Sequence, residues 1–200
     1  MTQTMNRIGA VSLVLILAGC ASGPTPPPRS AVPAIPHVQA DTDFMQGMIP
    51  HHAQAVLMAG WAESHGARPD VFLLCRRIVV AQTDEIGLMQ RWLADRDEDV
   101  PAADATHHMM KMEGTDMEML MPGMLTDEQL AGLDAARGPE WDRLFLEYMI
   151  MHHEGALSMV DVLFETYGAV QDAFMFKFAS DVFADQSAEI ERMQLMLAGR

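Results

Sequence analysis

The sequence predicts an all-α protein, a four-helix bundle made from two copies of one helical hairpin. Three observations carry that expectation. From Asp41 onward the chain has helix punctuation and almost no strand pattern. A long internal duplication relates its two halves. Matching polar residues also interrupt the apolar stripes of both copies.

The first forty residues stand apart from the bundle. Arg7 precedes an apolar run from Ile8 to Leu17, too short to span a bilayer but suited to a signal-peptide core. The run ends in Leu17-Ala18-Gly19-Cys20, which resembles a bacterial lipobox. Residues 1–19 are therefore expected to be a lipoprotein signal peptide, with Cys20 acylated after cleavage. The competing reading is an ordinary secretory signal that ends in cysteine. Ala21 resembles the outer-membrane sorting default, so the expected location is the cell envelope, facing the periplasm. Residues 20–40 read as a spacer, because residues 23–36 hold six prolines in fourteen positions and favour extended polyproline.

The bundle domain is expected over 41–198. Its first hairpin, 41–96, has Asp41 as a candidate N-cap, a stop at Gly66 and Pro69 opening the second helix to about Ala94. A linker, 97–138, carries Pro101, Gly114, Pro122 and Gly123 and reads as a long connection with a loose helical turn. It closes on a short helix capped by Thr126 and Gln129. In the second hairpin, 139–198, Pro139 opens a helix that stops at Gly168, and the last helix runs from about Val170 to Ala198.

Composition narrows the function. There are 28 acidic against 13 basic side chains, a formal charge of −15, so the chain lacks the basic footprint nucleic acid requires. Two cysteines exclude a disulfide framework, and with Cys20 acylated, Cys75 should be a buried thiol. Methionine is the anomaly: 19 in 200, more than gap-filling in a core needs.

A shift of 101 lays Asp41 on Asp142, Phe44 on Phe145, Met48 on Met149, His51-His52 on His152-His153 and Met58 on Met159. A shift of 104 lays Gln82, Glu85 and Met89 on Gln186, Glu189 and Met193. Within each helix these residues follow three- and four-residue spacing and so share a face. Counting back from the hairpin turns at 1.5 Å rise per residue puts His, Gln and Glu of each copy at one height. Both hairpins should thus contribute to a single polar layer.

A buried layer of that kind needs pairing, hydrogen bonds or metal. One reading is a His–Glu layer that fixes register; the other is a metal site. Methionine favours metal, because thioether is a soft ligand suited to Cu(I) or Ag(I), and imidazole serves both copper states. The linker repeats the chemistry: His107, His108, Met109, Met110, Met112, Met117, Met119, Met121 and Met124 make nine His or Met in eighteen residues. They are either accessory metal ligands on an exposed arm or a flap over the bundle. Di-iron chemistry is disfavoured, since no Glu-x-x-His pair occurs. No His-Glu-x-x-His, phosphate loop or nucleophile elbow is present either, so no enzyme is expected.

Met48-Ile-Pro-His-His-Ala-Gln-Ala, Gln82-x-x-Glu-Ile-x-x-Met, Met121-Pro-Gly-Met-Leu-Thr and Phe145-x-x-x-Met-Ile-x-His-His-Glu-Gly-Ala resemble domain-of-unknown-function family 305, over roughly Asp41 to Ala198. The resemblance implies a ferritin-like four-helix fold and exported copper binding, with copper or silver tolerance. It implies as metal ligands Met48, His51, His52, Met58, Gln82, Glu85 and Met89, with Met149, His152, His153, Met159, Gln186, Glu189 and Met193. Met151 stands where the first copy has Pro50, which removes a helical hydrogen bond to Gln46 and should kink the first helix. The expected protein is a lipid-anchored copper binder, Cu(I) favoured, that sequesters copper or exchanges it with a donor or acceptor protein. The alternative is a structural or interaction lipoprotein whose His/Glu layer only sets register.

Overall fold

A computed structural model describes residues 37–112 and 115–199, with side chains in the linker described outside 109–118. The expected signal peptide, the lipid-bearing Cys20 and the Pro-rich spacer to residue 36 lie outside the described residues. Four long helices dominate: α1 (Gln39–Gly60), α2 (Pro69–Ala94), α4 (Pro139–Glu165) and α5 (Ala173–Leu197). Between the two pairs lie strands β1 (His108–Met112) and β2 (Thr115–Met119) and the short helix α3 (Asp127–Ala135). α1 packs along α2, α4 along α5, and the hairpins meet through α1 and α4. Among the described residues, no helix is long and apolar enough to cross a membrane.

The helix boundaries follow local chemistry. Pro69 and Pro139 occupy the first turns of α2 and α4, where the missing N–H costs nothing. Thr126 caps α3 and exchanges bonds with Gln129, as its capping box predicts. Three boundaries differ from the sequence reading. Asp41 is not the N-cap: α1 starts two residues earlier, and the Asp41 carboxylate accepts from Val38 N–H at 3.0 Å and from Val170 N–H at 2.8 Å. α1 ends at Gly60 rather than Gly66, with a turn over 61–66. α5 begins after Val170, where Asp172 accepts from Phe174 N–H at 3.1 Å and caps the helix.

The duplicated aspartates do the same work in both copies. Asp142 accepts from Arg68 N–H at 3.2 Å, just beyond the turn glycine Gly66, while Asp41 accepts from Val170, just beyond Gly168. Both glycines have positive φ, +72° and +84°, which an L side chain rarely adopts. Each hairpin's first helix thus pins the closing turn of the other hairpin.

The linker departs furthest from expectation. It forms an antiparallel hairpin with His108 opposite Met119 and Met110 opposite Met117, instead of a loose helical turn. The segment Met110-Lys-Met and Thr115-Asp-Met-Glu-Met alternates with period two, a strand signature that the emphasis on methionine as ligand obscured. β1 lies on α1. α1 runs through Pro50 as one helix, although Pro50 cannot donate to the Gln46 carbonyl.

The core divides into two apolar clusters at opposite ends of the long helices. One gathers Met48, Met89 and Met159 with Phe44, Trp92 and Phe178. The other gathers their duplicates, Met149, Met193 and Met58, with Trp141, Phe145 and Leu74. Cys75 is a buried thiol, as expected, in the second cluster, and burial pushes its pKa well up.

Candidate metal centre

Between the clusters lies the polar layer that the duplication predicts. His51, His52, His152 and His153 are all fully buried, and Gln82 and Gln186 are each 3% exposed. His51 comes from the middle of α1 and His152 from the middle of α4, and their rings lie 3.8 Å apart between centroids, tilted by 40°. Burial, with the neighbouring His52 next in weight, lowers the His51 pKa from 6.5 to about 3. His152 is likewise driven well below its ordinary value, by burial first and by His51 second. Both rings are therefore neutral at pH 7.

The outer pair is held differently. His52 Nε2 lies 2.7 Å from Glu85 Oε2, and His153 Nε2 lies 2.8 Å from Glu189 Oε2. A carboxylate only accepts, so each Nε2–H donates and a neutral ring keeps its lone pair on Nδ1. His51 Nε2–H donates to the Pro122 carbonyl at 3.0 Å, which leaves its Nδ1 in the same state. None of these three Nδ1 atoms has a partner in the layer, nor has either ring nitrogen of His152. Gln82 Oε1 and both terminal atoms of Gln186 are also buried without partners. Leaving such groups unsatisfied costs about 1–3 kcal/mol each, which makes the layer expensive as a purely structural device.

The donor types fit a soft cation. Met48 precedes His51 by three residues and Met149 precedes His152 by three, so sulfur and imidazole share a helix face in each copy. Glu85 and Glu189, expected as ligands, each lie one hydrogen bond from a histidine, His52 and His153, a contact by which a carboxylate orients an imidazole. Among the described residues, no three His, Cys, Asp or Glu converge as a ready-made chelate. The layer itself is imidazole and amide, with the buried methionines in the apolar clusters on either side of it.

One face of the layer is shut by a strap that the sequence reading left as linker. Gln54, fully buried on α1, pairs with the Leu125 backbone through both amide atoms, at 3.0 and 2.7 Å. On α4, Gly155 lets the Pro122-Gly123 backbone lie directly on the helix. A Cβ there would sit 2.0 Å from the Pro122 oxygen. Gln54 and Gly155 are duplicates under the 101-residue shift, so the strap crosses where the two copies differ. That mismatch was the available signal for it. Met124 is buried and Met121 lies over Gly47, so these two belong to the strap and not to an exposed arm. Met119 is exposed, His107 faces Asp127 at 3.4 Å, and His108 opens β1, the strand that lies on α1. The side chains of Met109, Met110, Met112 and Met117 fall outside the described residues.

On the other side, a groove of ≈ 880 Å³ runs between α2 and α5, with Gln82, Glu85, Gln186 and Glu189 on its walls. Asp185 joins them. Burial raises its carboxyl pKa above the ordinary range, and Glu85, Asp181 and Glu189 push it the same way.

Residues 41–197 match the family described as Domain of unknown function (DUF305). A DUF305 protein from Streptomyces coelicolor, considered secreted, is 28% identical, covering 80% of this chain and 93% of its own, with a TM-score of 0.67. CopM in its Cu(I)-bound form is 28% identical over 80% of this chain and 96% of its own, with a TM-score of 0.60. The same protein is known in a Cu(II)-bound and an Ag-bound form, with TM-scores of 0.61 and 0.59. The uncharacterized protein L153 of Acanthamoeba polyphaga mimivirus is 34% identical over 56 residues, which span 37% of its length and 28% of this chain.

Proposed function

The chain belongs to the DUF305 family, and from that premise we propose that it binds copper or silver in the layer between its two hairpins. The observation that carries the reading is the set of buried imidazole nitrogens without partners: Nδ1 of His51, His52 and His153, and both nitrogens of His152. Native interiors rarely leave such atoms unpaired, and a bound ion is one of the reasons when they do. Neutral imidazole and thioether are the donors Cu(I) and Ag(I) accept.

In this reading His51 and His152 hold the ion with Met48 and Met149, while Met58, Met89, Met159 and Met193 supply further sulfur on either side. Glu85 and Glu189 orient His52 and His153, and Gln82 and Gln186 offer amide oxygen to the same layer. The copper supplies no reaction: the protein is a binder, not an enzyme, and serves sequestration, transfer or tolerance in the envelope, anchored through Cys20. The family resemblance and the CopM copper and silver complexes support this choice of metal. The linker methionines would be accessory donors.

The test is an anaerobic Cu(I) competition titration of the protein against a chelator of known affinity. Binding tighter than micromolar, lost in His51→Ala with His152→Ala, is expected. An unchanged affinity in that double variant would leave the histidine layer as a register device, the reading that the two His–Glu pairs favour.

A further inference from the structure

The layer has two faces, and they are built oppositely. On the α1–α4 side the strap lies backbone to backbone against Gly155, and Gln54 fixes it by two buried hydrogen bonds. Nothing the size of an ion passes there without breaking those contacts. On the α2–α5 side the groove reaches Glu85 and Glu189, each one hydrogen bond from a buried histidine. Gln82 and Gln186 line the same groove, each 97% buried, with amide oxygens that have no partner.

Resting on the copper reading above, we propose that the α2–α5 groove is the port through which the cation reaches the histidine layer, with Asp185 as its receiving carboxylate and Gln82 and Gln186 as the oxygens it meets next. Asp185 has no counterpart in the first copy, where Ala81 stands at the matching position. It lies one turn before Glu189 on α5, with Glu85 on the α2 wall opposite, so Glu85 and Glu189 line the groove inward of an exposed Asp185. Arg76, Arg77 and Arg192 also line the groove and, like Asp185, are exposed at its rim, where water and salt screen them. Glu85 and Glu189 are each only 18% exposed, so the negative floor is screened less than the positive rim. A cation would be drawn past the rim and handed inward from carboxylate to amide to imidazole. His52 and His153 stand at the inner end, where their Glu partners can swing between the ring and the ion.

The test is kinetic. The full chain, with Cys20→Ser to remove the thiol expected to carry the lipid, is loaded anaerobically with Cu(I) and mixed with excess bicinchoninate, a coloured Cu(I) chelator. Filling the groove with Ala81→Trp and Ala188→Trp, both at exposed positions on its walls, should slow loading and release together while leaving the equilibrium affinity unchanged. Asp185→Asn should slow loading by about tenfold, the lower end of what a focused field contributes to an on-rate. Unchanged rates in the filled-groove variant would overturn the port. Failure of the parent chain to take up Cu(I) at all would overturn the copper reading itself, a distinct result.

Discussion

Acid should unfold the metal-free protein through His51, and the size of the effect follows from its burial. In the unfolded chain an imidazole titrates near pH 6.5; in the layer His51 titrates at about 3. Between those values the unfolded chain binds a proton that the folded one refuses, so stability present above pH 6.5 drains away as pH falls toward 3. For one such group the loss between pH 7 and pH 4.5 is about 2.5 kcal/mol. His152, shifted in the same direction, adds to it. The raised carboxyls of Asp142 and Asp185 work against it, since the folded state protonates them first. The comparison that isolates His51 is therefore with His51→Gln, measured by urea unfolding in chelator at a series of pH values. The parent should lose about 2 kcal/mol more than the variant over that range. Parallel stability curves for the two proteins would show that His51 does not titrate as its burial demands, and the neutral-layer argument would fall with them.

Three further outcomes follow from the contacts described. Gly155→Ala places a methyl 2.0 Å from the Pro122 oxygen and 2.7 Å from Gly123 Cα, so it should cost about 3 kcal/mol or expel the strap, read by urea unfolding and by proteolysis of the linker. Gln54→Leu strands the buried Leu125 N–H and carbonyl and should cost about 2–4 kcal/mol in the same assay. Exchange of Met48, Met89, Met149 and Met193 for leucine should abolish tight Cu(I) binding in a competition titration, yet change stability by less than about 1.5 kcal/mol per site, because volume is nearly kept.

The fold was legible because periodicity and duplication are both written in side chains. Phe44, Met48, His51, Ala55 and Met58 fall on one face, their duplicates do the same, and the hairpin arithmetic sufficed to place His51, Gln82 and Glu85 at one height. The strap was not legible, because its contacts are made by backbone. Pro122, Gly123 and Leu125 present carbonyls and an N–H to α1 and α4, and no side-chain pattern announces that. Asp41 was misread for a related reason. An aspartate near a helix start has local uses, but its carboxylate also reaches Val170, 129 residues away, and a local rule cannot see a partner that only folding supplies. The partners of Glu85 and Glu189 needed distances: spacing places the carboxylates beside the histidines but does not say which ring each one touches.

The crossed latches of Asp41 and Asp142 make the chain, in symmetry terms, an isologous dimer whose two subunits have been joined end to end. In a true dimer the shared layer would come apart on dilution, and a trace amount of protein would hold no site. Here the linker keeps the second hairpin at a fixed, high effective concentration beside the first. The buried layer therefore persists at any abundance, one per chain, and cutting the linker between β2 and α3 would restore the concentration dependence that the fusion removed.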